Sequence, residues 1–234
     1  MNWLDQVLFG YYPYIALAVL IIGSVLRFDR EQYTWRTGSS QLLRRKQLVL
    51  GSILFHLGIL VIFVGHLVGL LTPIDFWERI YVSHAAKQML AIVAGGVAGS
   101  MCLVGGLMLL HRRLFDPRIR ATSSFGDTAI LTLLLAQLCL GLATIPISLG
   151  HRDGSEMVKF MQWAQGILTF QRGAADWVAD AHWIFKTHLT LGLTIFLVFP
   201  FTRLVHMLSA PVWYLNRRGW QIVRSKRLSS GGAR

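Results

Sequence analysis

Four histidines in apolar segments are the residues of this 234-residue chain best suited to bind a cofactor. His56 and His66 lie in the run LFHLGILVIFVGHL, and His188 and His206 lie in a second apolar run near the C-terminus. An imidazole among leucines and valines costs desolvation energy unless a partner satisfies it. An ionisable side chain inside a membrane span is therefore a candidate functional residue, and four of them form a candidate ligand set.

The two apolar runs are predicted to be antiparallel helices, which places the four histidines at two depths. His56 is then on the cytoplasmic side with His206, and His66 is on the outer side with His188. A b-type haem between two imidazoles fits this pattern best, because the porphyrin fills the gap between helices and imidazole suits iron. Zinc or copper would usually recruit further Asp, Glu or Cys ligands. Four purely structural histidines are the plainer alternative.

Helical geometry sets the expected spacing of the two depths. A rise of 1.5 Å per residue separates His56 from His66 by about 15 Å and His188 from His206 by about 27 Å. Pro200 would shorten the second distance by kinking the helix. The unequal spacings predict two haems that are inclined and offset around the bundle.

Composition predicts the elements that position these side chains. The chain is 54% hydrophobic and 15% charged, with a mean hydropathy of +0.51. Its apolar residues cluster into five runs, and a helix needs about 20 such residues to cross a bilayer. We expect an all-α membrane protein, a five-transmembrane-helix bundle that forms a single domain over 1–234. The predicted segments are transmembrane helices at about 3–26, 48–71, 89–110, 127–148 and 183–208, an outer interfacial helix at about 156–170 and a cytoplasmic tail at 209–234.

The distribution of charge predicts the orientation of the chain. No Lys or Arg precedes the first run, whereas Asp5 does, so this run is expected to remain as an anchor with the N-terminus outside. The predicted cytoplasmic segments 27–47, 111–127 and 203–234 hold 17 of the 23 Lys and Arg residues. This is the positive-inside pattern, and it places the C-terminus in the cytoplasm. The net charge of +12 is thus assigned to membrane lipid or a cytoplasmic protein and not to nucleic acid.

Several local sequences resemble the gamma subunit of membrane-bound respiratory nitrate reductase, a dihaem cytochrome b. The resemblance covers nearly the whole chain, and its motifs are YPYIA at 12–16, SVLRFDREQYTWR, RRLFDPRIRAT, TIPIS, DGSEM and FPFTRLVH at 199–206. It implies two haem b groups held by bis-histidine iron. His66 and His188 would ligate the outer haem, and His56 and His206 the inner haem.

The resemblance also implies a function in anaerobic respiration at the bacterial inner (cytoplasmic) membrane. In this family quinol is oxidised near the outer haem, and electrons pass to a cytoplasmic iron–sulfur (beta) subunit and then to a molybdenum-containing (alpha) subunit. The alternative is a related dihaem quinol-oxidising subunit of a sulfite- or heterodisulfide-linked complex. A haem-free transporter and a purely structural anchor are two further alternatives, which a haem spectrum and quinol-dependent haem reduction would exclude.

Five further residues complete the predicted site. Lys87 matches a lysine that the family associates with the quinol site. Gly65 and Gly69, beside His66, would admit the quinol ring or a porphyrin edge. Arg112 and Arg203 lie near the cytoplasmic side, where inner-haem propionates need charge partners, although positive-inside topology explains these arginines equally well.

Overall fold

Five helices in the described part of the chain are long and apolar enough to cross a membrane. The computed structural model describes residues 2–35, 43 and 45–209. The spans are Trp3–Arg30, Arg45–Leu71, His84–Phe115, Phe125–Gly150 and Trp183–Phe201. The described ranges contain helices and turns but no strand, so the predicted five-helix membrane fold is confirmed. Apart from Ser209, the predicted tail at 209–234 lies outside the described residues.

The helices follow one another through short connections. Their bounds are α1 (Trp3–Gln6), a π-helical turn (Val7–Tyr11), α2 (Tyr12–Arg30), α3 (Arg45–Leu71), α4 (Ile74–Arg79), α5 (His84–Phe115), α6 (Pro117–Thr122), α7 (Phe125–Gly150), α8 (Ser155–Leu168) and α9 (Trp183–Val198). Short 3-10 segments occupy Gln32–Thr34, Ala174–Val178, Phe199–Phe201 and Arg203–Ser209.

Serine caps explain why two of the spans begin where they do. The Ser83 hydroxyl accepts the backbone N–H of Ala86 at 3.2 Å, and the Ser124 hydroxyl accepts that of Asp127 at 3.1 Å. Such a cap satisfies one of the backbone donors left free in the first helical turn. The cap at Ser83 starts α5 at His84 rather than at the predicted residue 89, so the helix gains a polar first turn.

Small residues allow α3, α5 and α7 to pack closely. A Cβ atom on Gly58 would lie 2.6 Å from the carbonyl oxygen of Ala98, and one on Gly105 would collide with the backbone nitrogen of Phe55. On the other face of α5, a Cβ atom on Gly99 would lie 2.7 Å from the side chain of Leu142. The small residues of α5 therefore serve close helix packing at these positions.

The helices form an open arrangement that leaves α3 and α9 apart. α3 packs along its length against α5, α5 against α7, α7 against α9, and α9 against α2. α3 and α9 make little direct contact, although both carry predicted haem ligands. Large apolar side chains such as Ile21, Leu60 and Val97 are exposed on the outside of the bundle, as expected of surfaces that face lipid.

The segment between α7 and α9 folds over one end of the bundle, which we call the α8 end and which is the predicted outer side. α8 occupies the segment predicted to be the interfacial helix. The Trp163 indole Nε1 donates to the carbonyl oxygen of Phe9 in the π-helical turn at 3.0 Å. Lys186 Nζ forms an ion pair with Asp5 at 3.0 Å and also donates to the Ala179 carbonyl. These contacts fix the loop to the first span.

The predicted fifth helix, at about 183–208 with a kink at Pro200, is interrupted near that proline. α9 ends at Val198, Pro200 lies in a 3-10 turn, and Thr202 is extended. Proline lacks a backbone N–H and disrupts the preceding turn, so the break falls at this residue. Arg27 stabilises the break by donating from one guanidinium nitrogen to the carbonyls of Pro200 at 2.6 Å and Thr202 at 2.8 Å. The predicted separation of about 27 Å between His188 and His206 holds only for an unbroken helix, so it does not apply here.

Candidate cofactor site

Four imidazole rings face one another in two pairs across the gap between α3 and the C-terminal segments. The ring centroids of His66 and His188 lie 6.2 Å apart, with an interplanar angle of 39°. Those of His56 and His206 lie 6.5 Å apart, with an angle of 69°. The structure thus brings together the same pairs that helix depth predicted. Their role as ligands remains a prediction.

Both separations suit one metal ion held between two opposed imidazoles. A metal–imidazole bond is about 2.0–2.1 Å long, so two such bonds and the ring radii separate the centroids by about 6.3 Å. The observed separations are 6.2 and 6.5 Å. The centroid separation of each pair therefore matches the spacing that one metal ion between two imidazoles requires.

Hydrogen bonds fix the protonation of three of the four rings. The Nδ1 atoms of His56 and His66 each lie 2.8 Å from the backbone carbonyl oxygen four residues earlier. The Nδ1 of His206 contacts the carbonyl oxygen of Arg203. Because a carbonyl can only accept, each Nδ1 must carry the proton. In the neutral ring with this proton on Nδ1, Nε2 keeps its lone pair, and this is the form of histidine that binds a metal.

The fourth ring, His188, has a different environment, which the sequence analysis missed. Its Nδ1 is buried without a hydrogen-bond partner. The Gln137 side chain of α7 lies against the His188 ring. The Gln137 amide nitrogen is 3.0 Å from the His188 carbonyl oxygen and 3.4 Å from the His188 Nε2. The signal available in the sequence was an amide within the apolar run LLLAQLCL, since polar side chains in a span are often functional.

The donor set favours haem over a bare metal ion. Within the described ranges, no group of three or more His, Cys, Asp or Glu side chains is arranged to hold a metal. Two imidazoles are too few for zinc, whereas a porphyrin brings its own nitrogens and needs only two axial ligands. Beside His66, Gly65 and Gly69 have no atom within 4 Å of a would-be Cβ, which leaves space for a flat group. The residues present therefore fit haem.

Lys87 lies next to the pair at the α8 end. Its Nζ donates to the Gly69 carbonyl at 2.9 Å and to the Met161 sulfur at 3.0 Å, and stands 4.4 Å from the centroid of the Trp77 ring. The side chain is only 5% exposed. Because Gly69 lies one helical turn from His66, Lys87 places a buried ammonium close to this ring.

The two predicted arginines lie at the opposite end of the bundle. Arg112 is buried and donates from its guanidinium to the Leu43 carbonyl at 2.6 Å. Arg203, three residues before His206, forms an ion pair with Asp127 at 3.5 Å, and Arg113 contacts the other oxygen of the same carboxylate at 3.5 Å. A role in binding propionates remains a prediction for both arginines.

Comparisons with known proteins give a consistent result. A family model described as the nitrate reductase gamma subunit matches residues 5–226. The chain is 52% identical to the respiratory nitrate reductase 1 gamma chain of Escherichia coli K12, over 97% of this chain and 100% of the relative. It is 50% identical to the respiratory nitrate reductase 2 gamma chain of the same strain, again over 97% and 100%. It is 37% identical to the nitrate reductase gamma chain of Bacillus subtilis 168, over 91% of this chain and 95% of the relative.

Proposed function

This chain belongs to the nitrate reductase gamma subunit family, and from that premise we propose that it carries electrons from quinol through two b haems. The chain would thus be the membrane cytochrome b of a respiratory nitrate reductase, with quinol oxidation at the α8 end. Its apolar spans and bacterial relatives identify a multi-pass protein of the bacterial inner membrane. The nitrate itself would be reduced by another subunit.

The observation that carries the proposal is the pairing of the four histidine rings. His66 faces His188 and His56 faces His206 at separations suited to a single metal ion. A haem held in each pair supplies reversible one-electron transfer. The protein would supply four imidazoles, a dry path between the spans and a fixed separation of the two sites.

At the α8 end, Lys87 is the proposed quinol-binding residue. A lysine ammonium can donate to a quinol or quinone oxygen, and burial strengthens that bond because it excludes water. Met161 and the Gly69 carbonyl, about one helical turn along α3 from His66, accept hydrogen bonds from this ammonium. Nearby, at the protein surface, the His84 Nε2 lies 3.6 Å from the Glu78 Oε1. Protons released from quinol would leave on this side.

The pair formed by His56 and His206 is the proposed exit toward the cytoplasm. The positive charge predicted on this side suits a cytoplasmic protein partner. We propose that this partner is the iron–sulfur beta subunit, which passes electrons to the molybdenum-containing alpha subunit. Moving an electron inward works against the membrane potential at about 2.3 kcal/mol per 100 mV, so quinol oxidation here would conserve energy as charge separation.

Quinol-dependent haem reduction in the purified protein tests this function directly. A soluble reduced quinone should produce the same difference spectrum as dithionite, and a quinone-site inhibitor should slow the reaction. Reduction by dithionite but not by quinol would contradict the quinol site. The His111→Ala variant serves as a control, because this histidine lies in α5 outside both ring pairs.

A further inference from the structure

Gln137 is a polar residue of α7 that has no role in the electron transfer proposed above. Its amide nitrogen donates to the His188 carbonyl at 3.0 Å, and so joins α7 to α9 at the position of a predicted haem ligand. The same nitrogen lies 3.4 Å from the His188 Nε2. The Gln137 side chain therefore touches both the backbone and the imidazole of one ligand.

Two glycines make room for this arrangement. A Cβ atom on Gly141, one turn along α7 from Gln137, would lie 3.0 Å from the His188 Cε1. A Cβ atom on Gly192, one turn along α9 from His188, would lie 3.1 Å from the Gln137 amide nitrogen. Within 4 Å, this second Cβ would meet the Gln137 side chain alone. Each helix thus carries a glycine where the other helix places a side chain: Gly141 faces the His188 imidazole, and Gly192 faces the Gln137 amide.

The polar atoms at this contact are incompletely paired. The His188 Nδ1 and the Gln137 Oε1 are both buried and both without a hydrogen-bond partner. The other three rings each contact a backbone carbonyl of their own segment through Nδ1. His188 has no such carbonyl, although a metal-bound histidine almost always donates its second N–H to an acceptor. The amide oxygen of Gln137 is an unused acceptor on a side chain whose amide nitrogen already contacts the His188 ring.

We propose that Gln137 is a positioning residue for His188, with its amide nitrogen anchoring the His188 backbone and its amide oxygen accepting the Nδ1 proton when Nε2 ligates iron. This inference rests on the proposed function, because it assumes a haem at the pair formed by His66 and His188. Gln137 would act only through His188, without contact with the iron. An acceptor at Nδ1 raises the basicity of the imidazole and so favours the ferric state.

The test compares the two haems of the whole protein by redox titration and by low-spin EPR. Gln137→Met removes the amide but keeps the side-chain length, and should raise the midpoint potential of the outer haem. Its EPR signal should also move, because that signal reports the orientation of the axial rings. The inner haem should keep both its potential and its signal.

Gly192→Ala offers a second route, because it displaces the amide without removing it. It should change the outer-haem signal in the same direction as Gln137→Met. Gly150→Ala in α7, where a Cβ would meet nothing within 4 Å, is the matched control and should change neither haem.

Unchanged spectra in both test variants would overturn the proposal. So would equal changes at both haems, because these indicate a general loss of helix packing. A wild-type protein without haem would instead contradict the proposed function.

Discussion

Backbone carbonyls beside the ring pairs determine which ring nitrogen carries the proton in three of the four histidines. His56, His66 and His206 each contact a carbonyl of their own segment through Nδ1, which leaves Nε2 free for iron. A local hydrogen bond thus selects the tautomer before any cofactor binds. His188 lacks this bond, so its orientation depends on α7.

Loss of one histidine should remove one haem and leave the other. His66→Ala or His188→Ala should lose the outer haem, and His56→Ala or His206→Ala the inner haem, because iron needs both axial imidazoles of its pair. Each variant should contain one b haem per chain by difference spectroscopy. His111→Ala should retain both haems. Two haems in any of the four ligand variants would refute that ligand.

Lys87→Met tests the quinol site at the same scale. Losing a hydrogen bond from a charged donor costs about 1.5–3 kcal/mol, so the dissociation constant of a quinone-site inhibitor should rise about 10-fold or more. Both haems should remain, since Lys87 contacts neither ring pair in the structure. Lys159→Met, at the same end of the bundle, is the control. An unchanged inhibitor affinity in Lys87→Met would exclude this lysine from the site.

At the scale of elements, the break after α9 shows what periodicity could and could not predict. The apolar run and Pro200 indicated a span with a kink, but His206 lies on a separate 3-10 segment. The break at Pro200 is stabilised by Arg27, which binds carbonyls far away in sequence. The start of α5 was likewise missed by hydropathy, since the Ser83 cap extends the helix into polar residues. The Arg27 contact is not visible in a local pattern, whereas the Ser83 cap is a local signal that hydropathy alone does not report.

The residues that contact Lys87 and His188 could not be predicted from local sequence patterns either. The sequence indicated Lys87 and the four histidines, because ionisable side chains in apolar runs stand out. Met161 is one residue of an amphipathic helix, and only tertiary packing brings its sulfur to Lys87. Gln137 was visible as an amide in an apolar run, but its contact with His188 depends on how α7 meets α9.

The ion pair between Lys186 and Asp5 should be the main polar link between α9 and the first span at the α8 end. Asp5 is only 8% exposed, so Lys186→Met would leave a buried carboxylate without its partner. Such losses cost about 3 kcal/mol, and we expect the melting temperature of the purified protein to fall by about 10 °C. Thermal unfolding followed by circular dichroism measures this.

Lys159→Met provides the comparison for this ion pair. Lys159, itself at the protein surface, bonds to Asp180, whose side chain is 69% exposed, and to Glu156 one turn earlier in α8. These two hydrogen bonds raise the pKa of Lys159. Exposed pairs contribute about 0–1 kcal/mol, so the melting temperature should change little. An equal fall in both variants would contradict a special role for the link through Asp5.

At the scale of the whole molecule, the distribution of charge predicts the direction of electron flow. The two ring pairs are separated along the bundle, with Lys87 at one end and Arg203 at the other. The positive-inside pattern predicts that the arginine end faces the cytoplasm. Quinol would then be oxidised outside, and electrons would leave toward the cytoplasmic subunits.

Cysteine labelling tests this orientation. Tyr81 is 97% exposed at the α8 end and Phe125 is 89% exposed at the opposite end, so each position suits a cysteine probe. In a Cys139→Ala background, Tyr81→Cys should react with a membrane-impermeant maleimide from outside intact spheroplasts. Phe125→Cys should react only after the membrane is permeabilised. The reverse pattern would invert the predicted topology and the direction of charge separation.

The pairing of the four histidines predicts two b haems in one chain. Haem quantified per polypeptide in the purified protein, together with a reduced-minus-oxidised spectrum, measures this most directly. Two low-spin b haems per chain are expected. A chain that binds no haem, or a single haem that survives replacement of either ring pair, would contradict it.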